Sequence, residues 1–155
     1  MIGVQAWQQE EELERMTGLS PYWAITALVA GEAVPGATFT VFVGDGEDAE
    51  SNGYYFDFQR PLREELDEQD VRNETDSYCV VNESGAVHYG GLEEVAVLPG
   101  LLYLRFDDEA VGVLNLPSDI VPLAIDPGID VDEMRADLRK VLSYGNPAKV
   151  PIMNL

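Results

Sequence analysis

The stretch YCVVNESGAVHYGGLEEVAVLPGLLYLRF, residues 78–106, decides the fold of this 155-residue chain. It contains four short runs rich in apolar and β-branched residues, and a turn with at least one glycine separates each run from the next. Strands joined by such short turns pair antiparallel. We therefore predict four consecutive antiparallel strands, at residues 78–82, 86–89, 92–98 and 101–106.

A long hairpin is predicted upstream of this stretch. Residues 38–43 (TFTVFV) and 54–59 (YYFDFQ) are rich in β-branched and aromatic residues, and the polar loop between them, residues 44–53, has glycine at both ends. The apolar residues 22–34 predict one further strand, which the turn at Pro35-Gly36 ends.

Downstream of the quoted stretch, the pattern predicts a short helix and another strand. Residues 107–114 form one or two helical turns, with Asp107 or Asp108 as the N-cap. The strand at residues 120–125 contains Pro122, which cannot donate a hydrogen bond to a neighbouring strand. We therefore expect this strand at an edge of the sheet.

The C-terminal helix has the clearest signature in the chain. Asp130 and Glu133 resemble a capping box at its start, and Gly145 followed by Pro147 ends it. Its apolar residues share one helical face: Val131, Met134, Leu138, Val141 and Leu142.

These elements predict an α+β fold in a single domain over residues 1–155. We expect a mostly antiparallel sheet with the C-terminal helix packed on one face, and residues 22–145 form this α+β core. Residues 6–16 (AWQQEEELERM) have helical composition. They predict an N-terminal helical segment within an extension over residues 1–20.

Acidic residues dominate the charge of the chain. Asp and Glu number 29 against 9 Lys and Arg, so the formal net charge is −20. Such a surface repels nucleic acid and anionic membrane. It attracts a basic partner and accelerates association by roughly 10–1000-fold. General solubility, or the bias of a salt-adapted or GC-rich lineage, explains the same acidity without a partner.

Much of the negative charge is concentrated in residues 44–76. This segment contains twelve acidic and three basic residues, and its second part, residues 61–76, fits either a short helix or an ordered acidic loop. If the acidity serves a partner, this segment is the predicted binding surface. The predicted partner-binding residues are Asp45, Glu47, Asp48, Glu64, Glu65, Asp67, Glu68 and Asp70.

The residue patterns give no indication of catalysis. Cys79 and His88 are the single residues of their types, and no local pattern of a cysteine protease surrounds Cys79, which favours a buried inert thiol. The sequence lacks a phosphate-binding glycine loop and the serine and zinc motifs of hydrolases. Its acidic clusters lack the register of a calcium loop. We expect no catalytic residue, no metal and no cofactor.

The sequence predicts a cytoplasmic protein. A lone cysteine cannot form an internal disulfide, which is compatible with a reducing compartment. Residues 10–12 are glutamates at the place where a secretory signal would be apolar. The longest uncharged apolar stretch, residues 22–31, is interrupted well short of a membrane span.

A series of strand and turn motifs resembles a known family. In chain order the motifs are Tyr78 in a strand, Tyr89-Gly90-Gly91-Leu92-Glu93, an alternating strand ending at Leu98, Leu102 and Leu104 in the next strand, residues 110–114 (AVGVL), Ile125-Asp126, and the final helix through Leu138 and Leu142. On these residues the stretch from Asp76 to Leu142 resembles the Imm10 family of bacterial immunity proteins, found beside polymorphic toxins. Residues 1–75 carry no matching motif.

The resemblance implies a non-enzymatic protein that binds and neutralises a cognate toxin. It supplies no catalytic residue, and we assign Tyr89, Gly90 and Gly91 to the fold, because paired glycines permit the positive φ of a tight turn. Many intracellular toxins are basic, particularly nucleases, which must hold phosphate. We therefore predict an immunity protein whose acidic interface binds a basic toxin.

Two other classes of function remain open from the residues. A DNA mimic, or another acidic protein that binds basic DNA-binding proteins, would need carboxylates along an extended face and would bind several unrelated partners. The other class is a small enzyme or metal-dependent binder, and a metal-dependent one would be stabilised by calcium or magnesium at matched ionic strength.

Overall fold

The computed structural model describes residues 18–155, which form two five-stranded sheets and four α-helices. The strands are β1 (Trp23–Ile25), β2 (Ala27–Val34), β3 (Thr38–Gly44), β4 (Tyr55–Pro61), β5 (Cys79–Asn82), β6 (Val87–Tyr89), β7 (Leu92–Leu98), β8 (Leu101–Phe106), β9 (Ile120–Ile125) and β10 (Ile152–Asn154). The helices are α1 (Ala49–Asn52), α2 (Glu68–Arg72), α3 (Asp108–Val113) and α4 (Val131–Leu142), with a 3-10 turn at Pro147–Lys149. The predicted N-terminal helical segment, residues 6–16, lies outside the described residues.

The first sheet, which we call the meander sheet, has the strand order β2-β3-β4-β5-β6. Every neighbouring pair is antiparallel. The long hairpin predicted from residues 38–59 is the β3–β4 pair, with Gly44 opposite Tyr55 at its tip and Thr38 opposite Pro61 at its other end. The hairpin prediction is confirmed, and α1 occupies part of the loop at its tip.

The second sheet, which we call the mixed sheet, has the order β1-β9-β8-β7-β10. Its central strands β7, β8 and β9 pair antiparallel, whereas β1 pairs parallel with β9 and β10 pairs parallel with β7. The α+β class and the mostly antiparallel pairing are thus confirmed. The single predicted sheet is replaced by two, whose strands extend to Asn154, beyond residue 145. The four strands predicted over residues 78–106 therefore pair only as β5 with β6 and β7 with β8, and the predicted pairing of β6 with β7 was wrong.

The stretch predicted as one strand over residues 22–34 is divided between the sheets. Ile25 is the last residue of β1 in the mixed sheet, and Ala27 begins β2 in the meander sheet. Thr26 lies between them and donates its backbone N–H to the carbonyl oxygen of Gly44 at 2.9 Å. The prediction was wrong because an apolar run shows that a segment is buried but not which distant strand it pairs with.

The prediction that Pro122 places its strand at an edge was also wrong. β9 lies between β1 and β8. The parallel pairing with β1 begins at Leu123, and Pro122 contributes only its carbonyl oxygen, which accepts from the backbone N–H of Tyr22 at 2.7 Å. Because β1 is only three residues long, the missing N–H of proline falls outside its register.

The two sheets share one hydrophobic core. The alternation in β4 buries Phe56 and Phe58 between the layers, and the ring of Phe56 lies 5.7 Å from that of Phe106 in β8. The C-terminal helix α4 packs against β3 and β4. Its buried residues are Met134, Leu138, Val141 and Leu142.

Helix starts follow the predicted capping residues. The side chain of Asp107 accepts from the backbone N–H of Ala110 at 2.8 Å, and that of Asp130 accepts from the backbone N–H of Glu133 at 3.1 Å. Both caps are local, which is why the sequence predicts them.

Within residues 18–155, no helix has the length and apolarity needed to cross a membrane.

Candidate protein-binding site

The eight acidic residues predicted to bind a partner lie in two groups. Residues 45–48 follow β3 at the hairpin tip, and residues 64–70 follow β4 at its opposite end. Seven residues of β4 separate the ends, a span of about 20 Å. The hairpin-tip group is Asp45, Glu47 and Asp48, and the α2 group is Glu64, Glu65, Asp67, Glu68 and Asp70. The structure therefore does not bring all eight into one patch.

Two of these carboxylates stabilise local backbone. Asp45 accepts from the backbone N–H of Tyr54 at 3.1 Å and so closes the hairpin tip. Asp67 is the N-cap of α2 and accepts from the backbone N–H of Gln69 at 2.8 Å. Because each of these two carboxylates accepts a hydrogen bond from a backbone N–H, replacing either residue would alter the fold locally as well as the charge.

Two other predicted residues pair with arginine. Glu64 lies 2.8 Å from the guanidinium of Arg60, and Asp70 pairs with Arg63. Arg60 is itself buried and its guanidinium lies over the ring of Tyr144 at 4.7 Å. The remaining four are exposed and make no side-chain hydrogen bond to another of residues 18–155: Glu47, Asp48, Glu65 and Glu68.

A cleft of about 660 Å³ opens along β6, which is the outermost strand of the meander sheet within residues 18–155, and Val71 of α2 forms part of its lining. Residues of α3 and its N-cap, the segment that follows α2, and Asn146 and Lys149 form its other walls. Four apolar side chains on its lining are between 41% and 52% exposed, namely Val71, Val87, Tyr89 and Val113. Exposed apolar side chains gathered around a polar depression are typical of a protein-binding surface.

A buried ion pair forms one wall of the cleft. Asp76 is 5% exposed, and its carboxylate accepts from Lys149 Nζ at 2.5 Å and from Asn146 Nδ2 at 3.1 Å. The hydrogen bond from Lys149 is the main reason why the pKa of Asp76 is lowered. Lys149 Nζ also donates to the carbonyl oxygen of Glu74 at 3.0 Å. This lysine therefore holds the cleft wall in place, and the carboxylate of Asp76 offsets its positive charge.

Tyr78 connects this wall to the mixed sheet. Its hydroxyl donates to the carbonyl oxygen of Lys149 at 3.1 Å and accepts from the backbone N–H of Leu92 at 3.1 Å. The side chain is fully buried, and this burial raises the pKa of the phenol. The hydroxyl thus remains neutral and can make both bonds.

The pair Gly90-Gly91 shapes the bottom of the cleft. Both residues have positive φ, +72° and +95°. A Cβ at Gly91 would lie 2.7 Å from the Cβ of Ala110 and 2.8 Å from Nδ1 of His88. The absence of a side chain therefore lets α3 approach β6 closely, and the structural role predicted for the two glycines is confirmed.

His88 reaches the cleft with its side chain 10% exposed. Its Nδ1 lies 3.1 Å from the carbonyl oxygen of Gly90. A carbonyl oxygen only accepts, so Nδ1 carries the ring hydrogen, and Nε2 of the neutral ring is left as an acceptor. Nε2 lies 3.6 Å from Oε1 of Glu109, which is too far for a hydrogen bond.

The described residues offer little for covalent or metal chemistry. Cys79 is buried, which raises the pKa of its thiol to about 11 and agrees with the predicted inert thiol. Within residues 18–155, no three His, Cys, Asp or Glu side chains are grouped to hold a metal ion.

Residues 25–133 match the family model described as Immunity protein 10. The chain belongs to the Imm10 family. Comparison with curated proteins and comparison with solved structures each gave no match. The Imm10 match confirms the resemblance. It extends upstream over β2, β3 and β4, where the sequence offered no motif, and it ends at residue 133, before Leu138 and Leu142.

Only some of the residues that line the cleft could be predicted from the sequence. Tyr89 and Gly91 belong to the motif that carries the Imm10 resemblance, but the motif does not show that they border a cleft. Glu109 and Val113 come from α3, and Glu74 comes from the segment after α2. The one available signal was the pair Val87 and Tyr89, two apolar side chains that alternate with His88 on a short strand.

Proposed function

We propose that this Imm10 protein neutralises its cognate toxin by binding it without catalysis, and that the toxin is a basic protein such as a nuclease. Membership of an immunity family supports a toxin as the partner. The observation that carries the basic character is the net charge of −20. A strongly negative protein binds a positive surface faster and discriminates against acidic ones.

The proposed mechanism is occupation of the toxin's substrate groove. A nuclease needs a positive groove to hold the phosphates of its substrate. Carboxylates that dock in this groove replace the phosphates and exclude the nucleic acid. The interaction takes place in the cytoplasm, where a nuclease would meet its substrate, and the exposed members of the two acidic groups contribute to the attraction.

The test is coexpression with the cognate toxin domain. We expect cells that express both proteins to grow and cells that express the toxin domain alone to stop. With purified proteins, one equivalent of the immunity protein should abolish toxin activity. The association rate should fall at least tenfold between about 50 mM and 500 mM salt, because ions screen the attraction.

Two controls define how the proposal could fail. Unrelated DNA-binding proteins should keep their activity, since a DNA mimic would inhibit several of them. Growth arrest despite coexpression would contradict the proposal that this protein neutralises the toxin. If the protein neutralises the toxin but the association rate does not depend on salt, the proposed basic interface is wrong and the proposed immunity function still holds.

A further inference from the structure

Nε2 of His88 and a carboxylate oxygen of Glu109 face each other in the cleft, and with the imidazole ring neutral both are hydrogen-bond acceptors that receive no bond from another of residues 18–155. Nε2 of His88 and Oε1 of Glu109 are 3.6 Å apart, and the contact of Nδ1 with Gly90 leaves Nε2 as the acceptor of a neutral ring. The imidazole is about nine-tenths buried, whereas the Glu109 side chain is 81% exposed. An acceptor buried to this extent is stabilised when a donor reaches it.

The charge of the cleft determines which donor fits. Its lining includes four carboxylates and one ammonium group, a formal net charge of −3 with His88 neutral. The ammonium of Lys149 is already bound to Asp76 and to a backbone carbonyl. The remaining carboxylates are Glu74, Asp107 and Glu109. A cationic donor is therefore favoured over a neutral one.

The apolar part of the lining determines the size and shape of the occupant. Val87 and Tyr89 on one side and Val113 on the other are exposed. A guanidinium has several N–H donors in one plane, so it can donate to two neighbouring acceptors at once. The ammonium of lysine is a compact, strongly hydrated charge and gains less from apolar and aromatic walls.

We infer that the cleft receives an arginine side chain of the toxin, whose guanidinium donates to both His88 Nε2 and the carboxylate of Glu109, with apolar residues flanking that arginine in contact with Val87 and Val113. The inference rests on the proposed function for the identity of the partner. Arginine is enriched among the residues that contribute most to protein interfaces. A single buried anchor of this kind fixes orientation, which a diffuse negative surface cannot do.

The experiment titrates the full-length, ¹⁵N-labelled protein with the peptide acetyl-Leu-Arg-Leu-amide. The control peptide has citrulline, a neutral isostere of arginine, at the central position. We expect saturable chemical-shift changes at His88, Gly91 and Ala110 and at least tenfold weaker binding of the citrulline peptide. Failure to saturate these signals at about 10 mM peptide, or equal binding of the two peptides, would overturn the inference.

A matched pair of variants locates the site. Glu109 and Asp108 are neighbouring acidic residues in the first turn of α3, but only Glu109 lines the cleft. Glu109→Lys should weaken binding of the arginine peptide at least tenfold and Glu109→Gln several-fold, whereas Asp108→Lys should change it less than threefold. Equal effects at the two positions would show a general charge effect and overturn the inference. Because the titration contains no toxin, such a result leaves toxin neutralisation standing.

Discussion

Lys149 keeps the buried carboxylate of Asp76 charged, and removing it should destabilise the protein. In Lys149→Met the carboxylate keeps its bond to Asn146 and loses the 2.5 Å contact with the ammonium group. We expect a loss of about 2 kcal/mol in the free energy of unfolding at pH 7, as for other hydrogen bonds to charged groups. Urea denaturation monitored by tryptophan fluorescence measures it.

The pH dependence of this loss identifies its cause. The pKa of Asp76 is lower in the folded protein than in the unfolded chain. Its contribution is therefore complete above the unfolded pKa, about 3.9, and is lost as the pH falls through the folded value. The difference between wild type and Lys149→Met should shrink towards pH 3. Arg135→Met, which removes a cation from the exposed pair with Asp132, should cost under about 0.5 kcal/mol. A deficit of Lys149→Met that is the same at pH 7 and pH 3 would contradict the assignment.

Individual residue roles were predictable only where they are local. The caps at Asp107 and Asp130 join residues three positions apart, so their pattern is visible in the sequence. Asp76 and Lys149 are 73 positions apart. No local pattern pairs them, and the charge of residues 44–76 gave no reason to treat one aspartate differently from its neighbours.

At the scale of elements, the turn between β6 and β7 determines how closely α3 can approach. Gly91→Ala introduces a Cβ at φ +95° that meets Ala110 and His88. Gly85→Ala is the matched control, because Gly85 has φ +81° and its added Cβ would meet nothing within 4 Å. We expect Gly85→Ala to cost about 1–2 kcal/mol and Gly91→Ala to cost about 1–3 kcal/mol more. Similar unfolding midpoints for the two variants would show that contact with α3 does not constrain the turn.

Some strand pairings were predictable from the sequence and others were not. Hairpin strands such as β3 and β4 are neighbours in sequence, so their turns and alternation predict them. The parallel edge strands β1 and β10 each have three residues and pair with strands distant in sequence. A three-residue segment carries too little periodicity to be recognised. The division into two sheets arises at the turn between β6 and β7, because β6 ends the meander sheet and β7 pairs only within the mixed sheet. A short glycine turn predicted that these two strands pair, so the division was missed.

At the scale of the whole molecule, the charge of the chain was predictable but its arrangement was not. Composition gives the net charge, and the segment 44–76 gives its concentration. The fold then places β4 between the two acidic groups and brings α2 beside the cleft. The acidic residues of this one stretch therefore form two separate surfaces, because residues 45–48 precede β4 at one end of the hairpin and residues 64–70 follow β4 at the other end.

This arrangement predicts that the two acidic groups differ in their effect on toxin association. The double variant Glu65→Lys with Glu68→Lys changes the α2 group, and Glu47→Lys with Asp48→Lys changes the hairpin-tip group by the same total charge. Because α2 borders the cleft, the first variant should slow association about tenfold at low salt. The second should slow it about twofold, through net charge alone. Stopped-flow mixing with the toxin domain measures both rates.

Salt distinguishes local docking from general attraction in this pair of variants. The association rates of the two variants should converge as salt rises, because ions screen the electrostatic attraction that each acidic group exerts on the toxin. The dissociation rates should change little, because these charges are exposed at the edge of an interface. Both variants should keep the wild-type urea midpoint, since none of the four residues makes a side-chain hydrogen bond to another of residues 18–155. Equal slowing would mean that the acidic surface acts only through net charge. Greater slowing by the hairpin-tip variant would place the docking surface at the opposite end of β4, away from the cleft.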